Sequence, residues 1–306
     1  MILVTGGLGM IGAHTASALA DRGEHVLVTA HRSSDMPSFL AGRVVVENLD
    51  LTDRDAVLAL GDRYDVDAIV HLAGSIPEQD PMSFFRRDIA ALFNALEAAR
   101  TWSVRRFAVA SSISVYEGRA ERAWTEDLAL PLAEPPHAIA AFKKAVEPIT
   151  QYALAGTDVQ PLLLRIGSTW GPLMDPESPF NPIPPLVSAV LRGESPAALH
   201  AEDGGDFGYA PDTGRAIALL ITAPALGHVV YNVASGFPYS HRELADALSA
   251  VLPEAGIEVI GAPDAGAAEH PYLDISRLRA DTGFAPAFDV TGAVADYVSW
   301  RSENPR

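Results

Sequence analysis

The first twelve residues restrict the fold of this chain more than any other segment. An apolar stretch, Ile2–Thr5, leads directly into Gly6, Gly9 and Gly12, and an alanine-rich segment follows. In a strand–turn–helix unit, glycines at this spacing allow a tight turn, a close backbone approach to a diphosphate, and close packing of helix on strand. The backbone N–H groups that open the helix, here those around Met10 and Ile11, favour negative charge. The segment therefore predicts a bound dinucleotide.

The first half of the chain alternates short apolar strands with helices. The predicted strands are Ile2–Thr5, His25–Thr29, Val44–Glu47, Ala68–Leu72, Phe107–Ser111 and Gln160–Ile166. The predicted helices are Met10–Asp21, Arg54–Arg63, Phe84–Trp102 and Ile139–Ala155. This alternation predicts an α/β fold with a Rossmann-type, doubly wound parallel sheet.

The second half predicts a smaller C-terminal substrate-binding lobe. Six prolines between Pro172 and Pro185 disfavour regular structure until a helix at Leu186–Arg192. A strand at Val229–Val233 returns the chain to the main sheet, and a helix at Arg242–Leu252 follows. We expect residues 1–170 and about 206–235 to form the NAD(P)-binding domain, and 171–205 and 236–306 to form the lobe.

Composition excludes several classes of protein. The formal charge of −17, from 22 basic and 39 acidic residues, opposes binding to nucleic acid or to anionic membrane surfaces. The absence of cysteine excludes disulfides and thiolate zinc sites, and the scattered histidines predict no metal. Because a strand begins at residue 2 and no apolar run could cross a bilayer, we expect no signal peptide and a cytoplasmic location.

Several segments together resemble the extended short-chain dehydrogenase/reductases, the group of NAD(P)-dependent epimerases and dehydratases. The matching passages are Thr5–Gly12, Asp50-Leu51, His71–Gly74, Ala110–Tyr116, Arg165–Pro172 and Tyr231–Val233. The resemblance implies that Asp50 and Leu51 contact the adenine, and that Leu72, Ala73 and Gly74 lie beside the cofactor ribose. It further implies that Ile166 contacts the cofactor and that Ser112 is the catalytic serine.

The chain departs from this family where the catalytic tyrosine of Tyr-x-x-x-Lys is expected. Lys143 fits the lysine that holds the nicotinamide ribose, but Ile139 occupies the tyrosine position and has no proton to donate. His137 and Tyr116 are the candidate replacements, because an imidazole titrates near neutral pH and Tyr116 follows Ser112 closely. A solvated histidine and a packing role for Tyr116 are the alternatives. Asp88 occupies a position where relatives often carry asparagine.

A second departure concerns the choice of cofactor. The segment after the second strand reads Ala30-His31-Arg32-Ser33-Ser34, without the carboxylate that would bind the 2′-hydroxyl of NAD. The guanidinium of Arg32, with His31 beside it, suits a 2′-phosphate. The sequence therefore predicts NADP(H) in preference to NAD(H), with a solvated basic turn as the alternative.

The sequence leaves the reaction open among three possibilities. The first is an oxidoreductase or an epimerase/dehydratase-type enzyme with a non-standard proton donor. The second is a non-redox lyase, isomerase or cyclase, and the third is a non-catalytic sensor or scaffold that binds NADP(H). Because no diphosphate clamp is evident beyond Arg192, Arg215 and Arg242, a small carbonyl or alcohol compound is favoured narrowly over a nucleotide sugar. The resemblance also implies a homodimer.

Overall fold

A parallel sheet of seven strands forms the centre of the molecule. The computed structural model describes residues 1–31, 35–77, 80–261 and 270–304. The strands are β1 (Ile2–Thr5), β2 (Val26–Ala30), β3 (Val45–Asn48), β4 (Ala68–His71), β5 (Arg106–Ser112), β6 (Gln160–Ile166) and β7 (Val230–Val233). They lie side by side in the order β7-β6-β5-β4-β1-β2-β3, and every neighbouring pair is parallel. The predicted α/β fold is confirmed.

Helices cover both faces of the sheet. Within the described ranges they are α1 (Met10–Asp21), α2 (Arg54–Leu58), α3 (Pro81–Thr101), α4 (Ala138–Leu154), α5 (Ile183–Leu191), α6 (Ala210–Thr222), α7 (His241–Val251), α8 (Ser276–Thr282) and α9 (Val290–Glu303). Helices α1 and α6 pack on one face around a core that includes Leu19 and Ile217. Helices α2, α3 and α4 pack on the other face around Leu96 and Phe107. None of these helices is both long and apolar enough to cross a membrane.

Short side chains fix where several helices begin. The carboxylates of Asp53, Asp80 and Asp289 each accept a hydrogen bond from a backbone N–H in the first turn of α2, α3 and α9. Ser240 and Glu243 form a reciprocal capping box at the start of α7. These caps satisfy N–H groups that no intrahelical carbonyl can reach.

The C-terminal lobe has its own apolar core. Trp170, Tyr209 and Tyr297 pack there with side chains from α5, α7 and α9. The lobe also contains short strand pairings, and the remaining short elements lie around the main sheet. The short strands are Ala123–Trp124, Ser168–Trp170, Leu199–His200, Gly204–Gly205, Phe207–Tyr209, Tyr239–Ser240, Val259–Ile260 and Tyr272–Leu273. The 3-10 turns are Ser38–Leu40, Ala59–Asp62, Ile113–Tyr116 and Pro253–Ala255.

The position of one segment differs from the predicted division into domains. Tyr272–Leu273 pairs with Ala123–Trp124, and Leu278 and Phe284 pack into the core beneath α1 and α6. Part of the region assigned to the lobe at 236–306 therefore returns to the main domain. No pattern in the sequence indicates this return, because a two-residue strand is too short to show one.

Candidate active site and dinucleotide groove

The principal groove lies where the order of the strands reverses. The chain passes from β1 to β2 on one side of the sheet and places β4 on the other side of β1. Loops leaving β1 and β4 diverge at this point, which is where open α/β sheets bind ligands. The groove has a volume of about 600 Å³ and also reaches the ends of β2 and β3 and one side of α3.

Two glycines hold the loop after β1 in the shape of a cradle. Gly6 has φ of +68°, and a Cβ there would stand 2.9 Å from the Cα of Ala73. A Cβ on Gly12 would stand 2.2 Å from the carbonyl oxygen of Gly6, so α1 could not approach the loop. Gly12 therefore acts through packing of the helix on the loop.

The start of α1 is suited to bind an anion. Gly9 precedes the helix, and the first intrahelical hydrogen bond runs from the N–H of Ala13 to the carbonyl of Gly9 (2.8 Å). The N–H groups of Met10, Ile11 and Gly12 come before that bond, and the helix dipole adds positive potential there. The cradle, the free amides and the groove together fit a dinucleotide diphosphate.

Most of the cofactor-binding residues predicted from the sequence line this groove. They are Gly6, Gly9, His31, Asp50, Leu51, Leu72, Ala73 and Gly74. The other described residues predicted to bind the cofactor do not line it: Met10, Ile11, Gly12, Lys143 and Ile166. Ile166 pairs with Ser112 in the sheet and packs in the core. Arg32 lies outside the described residues.

The rim of the groove at β2 and β3 carries opposite charges. The Nε2 atom of His31 lies 3.6 Å from the Oδ2 atom of Asp50, and both side chains are about half exposed. The Oδ1 atom of Asp50 accepts hydrogen bonds from the N–H (2.9 Å) and hydroxyl (2.8 Å) of Thr52. A carboxylate thus stands at the rim after β3, whereas the carboxylate that would bind the 2′-hydroxyl of NAD is expected after β2.

Sequence reasoning missed several residues that line the groove. They are Leu8, Thr29, Ala30, Leu49, Thr52, Ser75, Ile76, Arg87 and Ala91. Arg87 and Ala91 are one helical turn apart on α3. Arg87 also directly precedes Asp88, which the sequence analysis singles out. That spacing on α3 is the only signal that could have indicated them, because residues four apart share one helix face.

Ser112 ends β5 with its own hydroxyl proton available. Its Oγ atom accepts hydrogen bonds from the N–H (3.1 Å) and the hydroxyl (3.0 Å) of Ser114. Because a hydroxyl has two acceptor positions and one donor, Ser112 can still donate to an oxygen of a ligand. The structure thus places a polarised donor at the carboxyl edge of the sheet.

Lys143 binds the backbone of β5 and interacts electrostatically with Asp88, which lines the groove. Its Nζ atom donates to the carbonyl oxygen of Ala110 (2.6 Å), two residues before Ser112. Burial lowers the pKa of Lys143 to about 8, and the carboxylate of Asp88 opposes that shift. Asp88 is itself held by the N–H (3.0 Å) and the hydroxyl (2.7 Å) of Ser75.

His71 supports the loop that carries the groove. Its Nδ1 atom lies 2.9 Å from the hydroxyl oxygen of Thr5, which also accepts a hydrogen bond from the N–H of Ala73 (3.2 Å). Burial, together with the charge of Lys143, lowers the pKa of His71 to about 3. The imidazole is therefore neutral at physiological pH and serves as part of the scaffold.

The beginning of α4 contains Ile139, at the position of the missing phenol, and His137, the candidate replacement. Ile139 is partly buried against the core formed by α2, α3 and α4. His137 is the N-cap of α4: its Nδ1 atom accepts from the N–H of Ala140 (3.1 Å), and its Nε2 atom lies 3.2 Å from a carboxylate oxygen of Glu117. Both ring nitrogens are engaged, so the geometry assigns His137 a capping role in this conformation.

Tyr116 lies in the core, contrary to the expectation that it reaches the pocket. Its side chain is fully buried, its hydroxyl donates to Oδ1 of Asn232 (2.9 Å), and it accepts from Nη1 of Arg165 (2.7 Å). Burial raises the pKa of Tyr116 to about 12. Because its proton is used internally and far from neutral pH, Tyr116 is not a candidate acid or base, and it does not line the groove.

The lobe contributes cavities, but few free cations. Trp170, Ile183, Phe207 and Tyr209 line a small enclosed cavity between the lobe and the sheet. Arg192 forms ion pairs with Glu177 (2.9 Å) and Glu194 (2.8 Å). Arg215 pairs with Asp212. Two of the three arginines considered for a substrate diphosphate are therefore already neutralised.

Comparisons with known proteins identify the class to which this fold and groove belong. The sequence profile of the NAD dependent epimerase/dehydratase family matches residues 2–234, and the chain belongs to that family. A UDP-glucose 4-epimerase of Caenorhabditis elegans is 26% identical over 348 residues, covering 100% of this chain and 98% of its own length.

Two solved structures share the fold over nearly their whole length. A UDP-glucose 4-epimerase of Thermotoga maritima, solved with UDP-glucose, has a TM-score of 0.84 at 20% identity and covers 100% of this chain and 99% of its own. A UDP-glucose 4-epimerase of Thermus thermophilus, solved with NAD, has a TM-score of 0.80 at 27% identity and covers 98% of both chains. The chain is therefore an NAD-dependent enzyme of the epimerase/dehydratase type.

Proposed function

We propose that this enzyme acts on a nucleotide sugar and that Ser112 orients the reacting oxygen of the sugar. The observation that carries the proposal is that Ser112, at the end of β5, only accepts hydrogen bonds from the described residues, so its hydroxyl proton is available to a ligand. Lys143 binds the same strand at Ala110. Relatives that match over their whole length are named for UDP-glucose, which favours a nucleotide sugar over the small carbonyl compound ranked first from sequence.

The residues of this chain divide the work of binding and catalysis. A nicotinamide dinucleotide supplies hydride transfer when it is bound. The amides that open α1 would hold its diphosphate, and Lys143 would hold its nicotinamide ribose. Ser112 donates a hydrogen bond to the substrate oxygen and so stabilises the charge that develops there.

The proton donor is proposed separately, because Ile139 cannot supply it. His137 stays the candidate that the sequence named, and it would have to leave its position as the cap of α4 to act. A His137→Ala variant with unchanged turnover would remove this candidate.

The preference for NADP(H) over NAD(H) also stays a proposal. It is supported by the lack of a carboxylate at Ala30 and by the imidazole of His31. The carboxylate of Asp50 beside His31 and the relatives solved with NAD favour the opposite choice. Equal affinities of the enzyme for NADH and NADPH would contradict the preference.

A homodimer is proposed from the outer sides of α3 and α4. Phe93 on α3 and Tyr152 on α4 are 50% and 87% exposed, which leaves apolar surface without a partner in the monomer. Apolar surface of this kind is typical of contacts between protein chains.

Ile139 favours one second candidate function, a non-redox reaction on the same scaffold. Such a lyase or isomerase would not need the phenol that relatives use, and the dinucleotide would serve only as structure. The two candidates differ in whether turnover depends on the redox state of the nucleotide.

The test is interconversion of UDP-glucose and UDP-galactose by the purified enzyme, followed by NMR of the sugar with NAD or with an unreactive NAD analogue. We expect conversion with NAD alone, and a Ser112→Ala variant should lower kcat by about 10²–10³-fold. Ser302→Ala, which removes an exposed hydroxyl of α9, serves as the matched control. Conversion of either sugar with the analogue would favour the non-redox candidate. Failure to convert UDP-glucose, UDP-galactose and a panel of other nucleotide sugars would overturn the proposed substrate class.

A further inference from the structure

Arg87 places an unmatched positive charge in the groove. It lies on α3 and lines the groove together with Asp88 and Ala91. Its Nε atom is buried, and it has no hydrogen-bond partner among the residues that the structure describes. No carboxylate of those residues forms an ion pair with it, and Asp88 is bound by Ser75 instead.

Among the described residues, the Nε atoms of two arginines, Arg87 and Arg242, are buried without a hydrogen-bond partner, and only Arg87 lines the groove. Several other arginines have a carboxylate partner. Arg54 pairs with Glu97, Arg63 with Glu47, and Arg165 with Glu147. A chain with a formal charge of −17 has carboxylates in excess, so an arginine without one is not explained by a shortage of partners. A buried polar nitrogen without a hydrogen bond costs free energy that a bound ligand can recover.

The opposite side of the groove indicates which ligand would recover it. Gly6, Leu8 and Gly9 line that side, where the free amides of α1 begin. A guanidinium binds two phosphate oxygens in one plane, which an ammonium cannot do. An anion between α1 and α3 would therefore receive hydrogen bonds from both sides.

We propose that Arg87 binds the diphosphate of the dinucleotide from the α3 side of the groove, opposite the first turn of α1. The inference rests on the proposed function only in that the groove holds a dinucleotide. It requires no turnover and no particular sugar substrate. Among the described residues that line the groove, the other charged or titratable side chains are Asp50 and His31 at the rim and Asp88 beside Arg87 on α3.

Binding measurements on the full chain test this assignment directly. Isothermal titration with NADH, NADPH, ADP-ribose and adenosine would be made on the wild type, Arg87→Met, Arg87→Lys and Arg86→Met. Arg86 is the matched control, because it is the exposed neighbour of Arg87 on the same helix. We expect Arg87→Met to weaken the three diphosphate ligands by roughly 10- to 100-fold, as for loss of a charged hydrogen bond. Adenosine affinity and the Arg86→Met variant should be unchanged, and Arg87→Lys should recover part of the loss.

The other outcomes separate this inference from the proposed function. A wild type that binds dinucleotides and an Arg87→Met variant that binds ADP-ribose equally well would overturn the role of Arg87 alone. A loss confined to NADPH would also overturn it, since Arg87 would then bind the 2′-phosphate. A wild type that binds no dinucleotide would overturn both proposals. Thermal unfolding of Arg87→Met should occur at or above the wild-type temperature, because no ion pair is lost; a lower temperature would indicate a structural role instead.

Discussion

Lys143 is one of only two lysines in this chain, and its surroundings set its charge. Its Nζ atom donates a hydrogen bond to the carbonyl oxygen of Ala110 (2.6 Å), and the residue is partly buried. Burial disfavours the charged form, whereas the carboxylate of Asp88 favours it. The balance between these two effects places its titration near the pH at which the enzyme would work.

This balance is accessible to measurement, because the other lysine, Lys144, is the only source of a second signal. With isotopically labelled lysine, we expect the resonance that Lys143→Arg removes to titrate at about pH 8. Asp88→Asn should lower that pKa further, since it removes the carboxylate that favours the ammonium form. A Lys143 resonance that titrates near the ordinary 10.5, or one that Asp88→Asn leaves unchanged, would contradict this assignment.

Helix α1 shows how an element can fix the position of a binding loop. It packs on α6, where a Cβ on Gly214 would stand 2.4 Å from the carbonyl carbon of His14. Two residues earlier in the helix, Gly12 packs on Gly6, so the beginning of α1 is held closely at both contacts. The amides at its start are therefore presented to the groove in one fixed orientation.

Two alanine substitutions at the start of α1 should separate an effect on stability from an effect on dinucleotide binding. Gly12→Ala places a Cβ 2.2 Å from a carbonyl oxygen, and we expect it to lower the free energy of unfolding by about 1–3 kcal/mol, as overpacking does. Gly9→Ala should fold normally, because its Cβ would be 3.4 Å from the nearest atom, but it should weaken dinucleotide binding by filling the groove. Urea unfolding and NADH titration of both variants provide the check. Equal stability of the two variants would show that α1 can move away from the loop.

Helix α5 illustrates a boundary that the sequence did not predict. The helix was expected at Leu186–Arg192, but it begins at Ile183. Pro184 and Pro185 lie in its first turn, where backbone N–H groups have no intrahelical partner, so their missing donors cost nothing. Because the prolines before them predict irregular structure, the sequence did not indicate that the helix begins at Ile183.

At the scale of the whole molecule, α3 and α4, which lie beside β4 and β5, carry exposed apolar surface. Phe93 and Tyr152 are exposed there, while Phe84 and Phe142 of the same helices are buried. A second copy of the chain packed against this surface would bury these exposed side chains.

Size-exclusion chromatography coupled to light scattering measures the mass in solution and so tests whether two copies of the chain associate. We expect a mass twice the 32.4 kDa of the chain, and a Phe93→Asp/Tyr152→Asp variant should shift toward the monomer. Leu132→Asp, at a residue that is 75% exposed on a loop outside α3 and α4, is the matched control and should not change the mass. A monomeric wild type would contradict the dimer.

The amino-acid sequence by itself determined the parallel sheet, the cradle after β1 and about half of the residues that line the groove. These features are local: an apolar run, a glycine at a required φ and a helix start are each encoded within a few neighbouring residues. The strand Gln160–Ile166 and the helix Met10–Asp21 were predicted to the residue for that reason.

Only the tertiary structure decided which polar groups are available for chemistry. Asn232 and Arg165 bind the hydroxyl of Tyr116, and Glu117 and the N–H of Ala140 engage His137, although these partners lie up to 116 residues away in the chain. Arg87, in contrast, is left without a carboxylate within the described ranges. Whether a polar side chain has a hydrogen-bond or ion-pair partner depends on segments that are distant in the chain and come into contact only on folding. The spacing of residues in the sequence does not indicate these contacts.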